Sequence, residues 1–491
     1  MAESFLLMLL LATPLLTGAG CWILRPLHRV EYVNVVGAAA TLVLAVSIVV
    51  VVMRDGPIDG VGGVFYVDAL SALMVGTIAA LGFAAALFSL RYIRHDLDER
   101  RVPQGLRGAR WYYLGLHAFV WTMLATVTVD NLGLLWVGVE ATTLASALLV
   151  GFYRTPAALE AAWKYLILCT VGITFALFGV LLTFYAARQG GDGASLDWST
   201  LVRDGAALDP RMMRLAFVFA LIGFGTKAGF APLHTWLADA HSQAPSPVSG
   251  VLSGVLLSCA LYAILRFHVL TTAATGSEFS ANLLLAFGVL SVAVATPFVL
   301  VQRDLKRLLA YSSAEHIGLM AVAFGIGSPL AVTAGLLHLV NHAATKALLF
   351  FVSGDLIQRF GTHRISAMRG AIRAAPVAGW LFVLGILAIT GAPPFGILIS
   401  EIGIAGAGFA GDREAVAAAV AVVLLLGLIF AGLIGNALRI AYGTPPSASD
   451  HADLRRDWRA YAPAICALAP LALVMLLFGV YVPSHVGDLL E

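Results

Sequence analysis

Fourteen apolar runs long enough to cross a bilayer dominate this chain, near 4–24, 33–53, 64–90, 111–128, 131–153, 159–187, 213–236, 247–270, 281–301, 307–327, 329–358, 376–403, 414–441 and 461–482. A helix rising 1.5 Å per residue needs about 20 apolar residues to span a hydrocarbon core about 30 Å thick. Inside lipid the backbone must satisfy its own hydrogen bonds, which a helix does within one segment. Of 491 residues, 60% are hydrophobic and 12% charged, and the mean hydropathy is +0.90. Little remains for a separate soluble domain. The expected fold is an all-α polytopic membrane protein with about 14 transmembrane helices.

The basic residues set the orientation. With the N-terminus outside, the inner loops collect twenty Lys and Arg, including Arg91, Arg94, Arg100, Arg101, Arg107, Arg110 and Lys306, and the outer loops hold seven, Arg266 among them. This segregation satisfies the positive-inside rule, calls for an even number of spans and places both termini on the outer side. The first run lacks a basic leader, and Trp22, Arg25 and Pro26 are unlike a small-residue cleavage site, so it reads as a retained helix. The longest polar stretches, 188–211 and 442–460, read as loops. Cys21, Cys169, Cys259 and Cys466 lie far apart in apolar segments without a CxxC or Cys/His pattern. They read as small buried hydrophobes, which argues against an iron–sulfur or haem centre. A balance of 30 Lys+Arg against 28 Asp+Glu gives no reason to expect nucleic acid as a partner.

Two runs carry a break. Span seven contains Gly229-Phe230-Ala231-Pro232 and span twelve contains Gly391-Ala392-Pro393-Pro394. Interior proline removes a donor and clashes with the preceding turn, so neighbouring protein or water must meet the freed backbone groups. The breaks lie five spans apart, an odd number, so spans four to eight and nine to thirteen are expected to form inverted five-helix repeats. Matched broken helices of this kind mark ion sites in secondary transporters. The expected divisions are an N-terminal three-helix segment at 1–110, a first repeat at 111–270, a second at 271–441, and a loop with a C-terminal helix at 442–491.

Ionisable residues interrupt the apolar runs: Lys164, Lys227, Lys346, Glu140 and Glu315. A charge at the bilayer centre costs roughly 2.5–3.5 kcal/mol on insertion scales and usually faces a bundle interior or a wet cavity. In span eleven His338, His342 and Lys346 follow one another every fourth residue, at about 0°, 40° and 80° on one helix face. Two imidazoles and an ammonium in a stripe suit proton transfer near neutrality. Zinc is a rival reading for the two histidines, although no HExxH glutamate or nearby Cys accompanies them; satisfied core histidines are another. Glu140 in span five and Lys227 in span seven form a candidate ion pair that would gate proton affinity as it opens and closes. A static pair holding helices together is its rival. His234, His241 and Asp239 follow the first break, Glu315-His316 lies in span ten, and Ser400-Glu401 closes span twelve. Asp68 opens span three as an interior polar group or as a helix cap.

Three strings carry a resemblance: GTKAGFAPLHTWLADAHSQAPSPVSG at 225–250, QRDLKRLLAYSSAEHIG at 302–318 and HLVNHAATKALLFFVSGD at 338–355. Together they resemble the antiporter-like proton-translocating subunits of complex I, of Mrp cation/proton antiporters and of group 4 hydrogenases. The resemblance covers roughly 64–440. It is nearest to the hydrogenase-4 F-type subunits, to which AHSQAPSPVSG, WKYLILCTVGI and YSSAEHIG are similar. It implies relay roles for Glu140, Lys227, His342, Lys346 and Glu401; with His234, Glu315 and His338, read from the polar constellations, these make the expected proton relay, and Asp68, Lys164, Ser258, His241 and His316 are its expected supporting polar groups. One departure stands out. Many relatives carry lysine in mid-span eight, where this chain offers Ser258; either the relay passes through His234, His241 or His338, with ordered water across the gap, or coupling differs here. The resemblance further implies a prokaryotic inner membrane, other membrane subunits, and peripheral [NiFe] and iron–sulfur partners that perform the redox chemistry. No cofactor is expected in this chain. A Mrp-type cation/proton antiporter and the membrane subunit of a CO2-hydrating uptake complex remain alternatives.

Overall fold

The computed structural model describes residues 2–189, 195–444 and 458–481. The first helices are α1 (Ala2–Ile23), α2 (Leu27–Asp55), α3 (Ala69–Asp98), α4 (Leu106–Thr128), α5 (Leu132–Val150) and α6 (Pro156–Gln189). After a short α7 (Trp198–Arg203), span seven is α8 (Pro210–Ala228) with α9 (Thr235–Gln243). Span eight is α10 (Ser246–Val251) and α11 (Leu257–Thr275), joined by a π-helical turn over Leu252–Leu256. Then come α12 (Glu278–Val301), α13 (Leu305–Ile326) and α14 (Pro329–Phe360). A single turn, α15 (Ala371–Ala374), leads to span twelve, made of α16 (Pro376–Ile389) and α17 (Gly396–Phe409). Two more helices, α18 (Arg413–Ala441) and α19 (Trp458–Val480), close the bundle. Eleven helices among the described residues are long and apolar enough to cross a membrane. With α4 and the two broken spans, all fourteen expected runs are helical.

The spans divide by burial. Span eight is enclosed on all sides, and α13 and α14 nearly so, whereas α1, α2, α18 and α19 expose most of their surface. The exposed rim therefore surrounds a protein-lined centre containing spans eight, ten and eleven, and the ionisable residues of α13 and α14 lie in that centre.

Both breaks fall where glycine and proline place them. Gly229 ends α8 in the left-handed region at φ +85°, and Gly391 follows α16 at φ +67°. Neighbouring groups take up the backbone freed at the first break. The Ala231 amide donates to Ser291 Oγ at 3.0 Å, and Trp236 Nε1 donates to the Thr226 carbonyl at 2.8 Å. A side chain at Gly391 would be strained by its φ, and a Cβ there would lie 2.1 Å from Glu401 Oε2, so the carboxylate would have to move aside. The five-span separation gives spans four to eight and nine to thirteen opposite orientations, the inverted arrangement expected from the sequence.

Four details depart from the sequence reading. The third apolar run begins in a hairpin, Ile58–Gly60 against Phe65–Val67, and α3 starts only at Ala69. The stretch 188–211, read as loop, contains α7. Cys21, Cys169 and Cys259 are buried, but Cys466 is exposed. Arg266 and Lys306, counted among loop residues, are both buried. The 442–460 stretch lies mostly outside the described residues.

Candidate functional site

Lys227 occupies the last turn of α8 because Gly229 stops the helix there, and it is 0% exposed. Its Nζ donates to Thr143 Oγ1 at 2.8 Å and to the Tyr165 hydroxyl at 2.5 Å. It lies 4.7 Å from the Tyr165 ring centroid on the hydroxyl side, so the hydroxyl oxygen and not the ring face meets the ammonium. Tyr165 is held in turn by Ser146 at 2.7 Å and by the Trp236 ring at 4.6 Å. Half-buried Glu140 accepts from Thr170 Oγ1 at 2.8 Å and from Thr143 Oγ1 at 3.3 Å. Glu140 and Lys227 therefore do not touch. The Thr143 hydroxyl stands between them, accepting from the lysine and donating to the carboxylate, and a hydroxyl so placed can pass a proton along the same line.

The second cluster is built from imidazoles. On α13 and α14, His316 Nδ1 and His338 Nε2 are 2.9 Å apart, and His338 Nδ1 is 2.9 Å from Ser400 Oγ on α17. The His342 ring lies 5.3 Å from that of His316, and among the described residues neither of its nitrogens has a hydrogen-bond partner. Lys346 donates to the Leu309 carbonyl at 2.9 Å. Glu315 is 1% exposed, with Oε2 unpartnered and 3.9 Å from His316 Nε2. Glu401 opens into an apolar cleft of about 220 Å³ between α13, α17 and α18, lined by Leu319, Val422 and Leu426. Among the described residues no three His, Cys, Asp or Glu converge on a metal position.

Between the clusters lie groups of mixed character. His234 precedes α9 without a side-chain capping bond, with its ring 6.2 Å from those of Tyr311 and Phe298. His241 is buried against Phe350 at 5.1 Å, with both nitrogens unpartnered. Ser258 bonds back to the Gly254 carbonyl of its own helix at 3.4 Å. The hydroxyl that links span eight to span ten is instead Ser253, 2.6 Å from Ser313 Oγ. It sits in the π-helical turn, a distortion frequent at functional sites.

Two candidates take other positions. Asp68 caps α3 through the Ser71 amide at 2.9 Å and forms a two-pronged ion pair with Arg266 at 2.6 and 2.7 Å. Lys164 does not face the interior; it is half-exposed on α6, paired with Glu160 at 2.5 Å and Asp239 at 3.4 Å. Sequence reasoning missed Tyr165, Thr170, Ser253, Ser313 and the buried Lys306, which donates to the Ala244 carbonyl at 2.5 Å. Thr143 was missed as well, although its place one turn from Glu140 could have drawn attention to it.

Residues 129–427 match the family described as NADH:quinone oxidoreductase/Mrp antiporter, TM. The chain is 41% identical over 433 residues to a hydrogenase-4 component F homolog of Methylacidiphilum infernorum, covering 88% of each chain. Its fold resembles a chain of an archaeal membrane-bound sulfane sulfur reductase (TM-score 0.84, 24% identity, 99% of this chain and 96% of that one). It also resembles a chain of the Mrp complex from Dietzia sp. DQ12-45-1b (TM-score 0.83, 22% identity, 100% and 96%). The bundle, its paired breaks and the sequence match lead to one assignment: the chain belongs to the NADH:quinone oxidoreductase/Mrp antiporter transmembrane family.

Proposed function

We propose that this chain is the proton-translocating membrane subunit of a hydrogenase-4-like respiratory complex, driven by redox chemistry in partner subunits. The observation that carries the proposal is a fully buried lysine at a helix break, joined to a carboxylate through one hydroxyl. In the bridged state Glu140 and Thr143 hold the Lys227 charge. Separation removes that support, and the ammonium gives up its proton to the bundle interior. The receiving groups are the imidazoles of His316, His338 and His342 with Lys346, and Glu315 and Glu401 lead the proton outward. The 41% identity to a hydrogenase-4 component F homolog supports this type of complex over the others.

The complex would carry [NiFe] and iron–sulfur subunits at the arginine-rich face, on the inner side of a prokaryotic inner membrane, with both termini outside. The test is purification of the intact complex, identification of its subunits, and dye-quench measurement of proton uptake in inverted vesicles energised by a low-potential donor. Donor-dependent uptake that is indifferent to sodium is expected, with a [NiFe] subunit present. Sodium-dependent exchange without a redox partner would replace this reading with cation/proton antiport.

A further inference from the structure

A wide groove lies apart from the relay residues. It measures about 860 Å³ and lies between α4, α5 and α6. Its walls are apolar and open: Leu148 is 78% exposed and Trp163 62%. Small residues on two of the lining helices, Gly115 and Ala118 on α4 and Ala145 on α5, create the space between them. From Gly108 at the mouth to Ala118 at the far end, the α4 wall rises about 15 Å at 1.5 Å per residue. That is half of a hydrocarbon core about 30 Å thick, so the groove serves one leaflet.

The mouth lies at the arginine-rich end of these helices. Arg154 and Gln104 line it, with Trp111 and Trp163 on its flanks. No acidic residue lines the groove, and among the described residues no carboxylate pairs with Arg154. Gln104 and Arg154 also adopt left-handed backbone at φ 62° and 55°, two of the three described non-glycine residues to do so. Such conformations persist where surrounding structure holds them, often at ligand clamps.

We infer that this groove binds one anionic phospholipid, its phosphate on Arg154 and an acyl chain along α4 and α5 as far as Leu144. Three features select lipid over a transmembrane helix. The depth matches one leaflet, whereas a helix needs a groove crossing the whole core. Tryptophan at the rim marks the headgroup level. A cationic, acid-free mouth between helices suits an anionic headgroup. The inference is independent of the proposed transport role.

The test uses the intact complex in nanodiscs of equal phosphatidylglycerol and phosphatidylcholine, with the lipid retained after extraction counted by native mass spectrometry. The parent complex should retain phosphatidylglycerol about fivefold over phosphatidylcholine, the preference one arginine near the surface supplies. Arg154→Gln should bring the ratio to near one while a lipid remains bound. Ala145→Trp, which places an indole in the space left by a small lining residue, should remove that lipid altogether. Equal retention in all three proteins would overturn the assignment, as would equal retention of the two lipids by the parent complex. Cross-linking of a cysteine at position 148 to a partner helix in high yield would also overturn it.

Discussion

The two polar clusters solve the same problem in opposite ways. Around Lys227 every polar contact is made through hydroxyls: Thr143, Tyr165, Ser146 and Thr170 hold the lysine and Glu140 at fixed distances. Around His342 the groups are as deeply buried, yet both His342 nitrogens, His316 Nε2, Glu315 Oε2 and the Asn341 amide lack partners among the described residues. Imidazole and carboxamide groups can both donate and accept, unlike the ammonium of the first cluster. In the proposed mechanism the first cluster stores a charge and the second transmits one.

Lys227→Ala should have the largest effect, reducing proton translocation about 100-fold or more, the scale of losing a positioned proton carrier. Assembly should survive, as blue-native electrophoresis would report. His342→Ala comes next; strong impairment is expected, and full transport in an assembled variant would mean that the imidazole stack carries no protons. Glu401→Gln keeps the shape of the side chain and removes its titration. Proton translocation should fall while electron transfer to an artificial acceptor persists; equal loss of both would indicate a structural defect. Thr143→Val severs the bridge but leaves both charges. A loss of about tenfold is expected, corresponding to the ~1.5 kcal/mol of one hydrogen bond to a charged group. An effect as large as that of Lys227→Ala would make the hydroxyl itself the carrier. Ser258→Ala should be the mildest change, because that hydroxyl is spent on its own helix.

The contrast between the clusters was only half visible in the sequence. Charged residues inside apolar runs announce themselves, so Glu140, Lys227 and Lys346 were legible, and the fourfold spacing on α14 displayed the histidine stripe. The two breaks were equally plain from glycine and proline. Hydroxyl residues give no such signal. Tyr165 and Thr170 look like ordinary residues of an apolar helix, and Lys227 meets Tyr165 across 62 residues of sequence. Lys306 was misread for the converse reason. It follows Arg303 and Asp304 in a charged turn, and only the packing of α13 against α9 encloses it. Arg266 was misplaced similarly, since its partner Asp68 lies 198 residues away.

The central claim is that Lys227 releases its proton during turnover and does not simply hold Glu140 in place. Lys227→Arg separates the two roles, because guanidinium keeps a positive charge and hydrogen-bond donors but does not deprotonate at usable pH. The decisive measurement is proton translocation per electron in proteoliposomes containing the assembled Lys227→Arg complex. A ratio near zero, with electron transfer retained, is the predicted result; a ratio equal to that of the parent complex would contradict a proton-carrying role for Lys227.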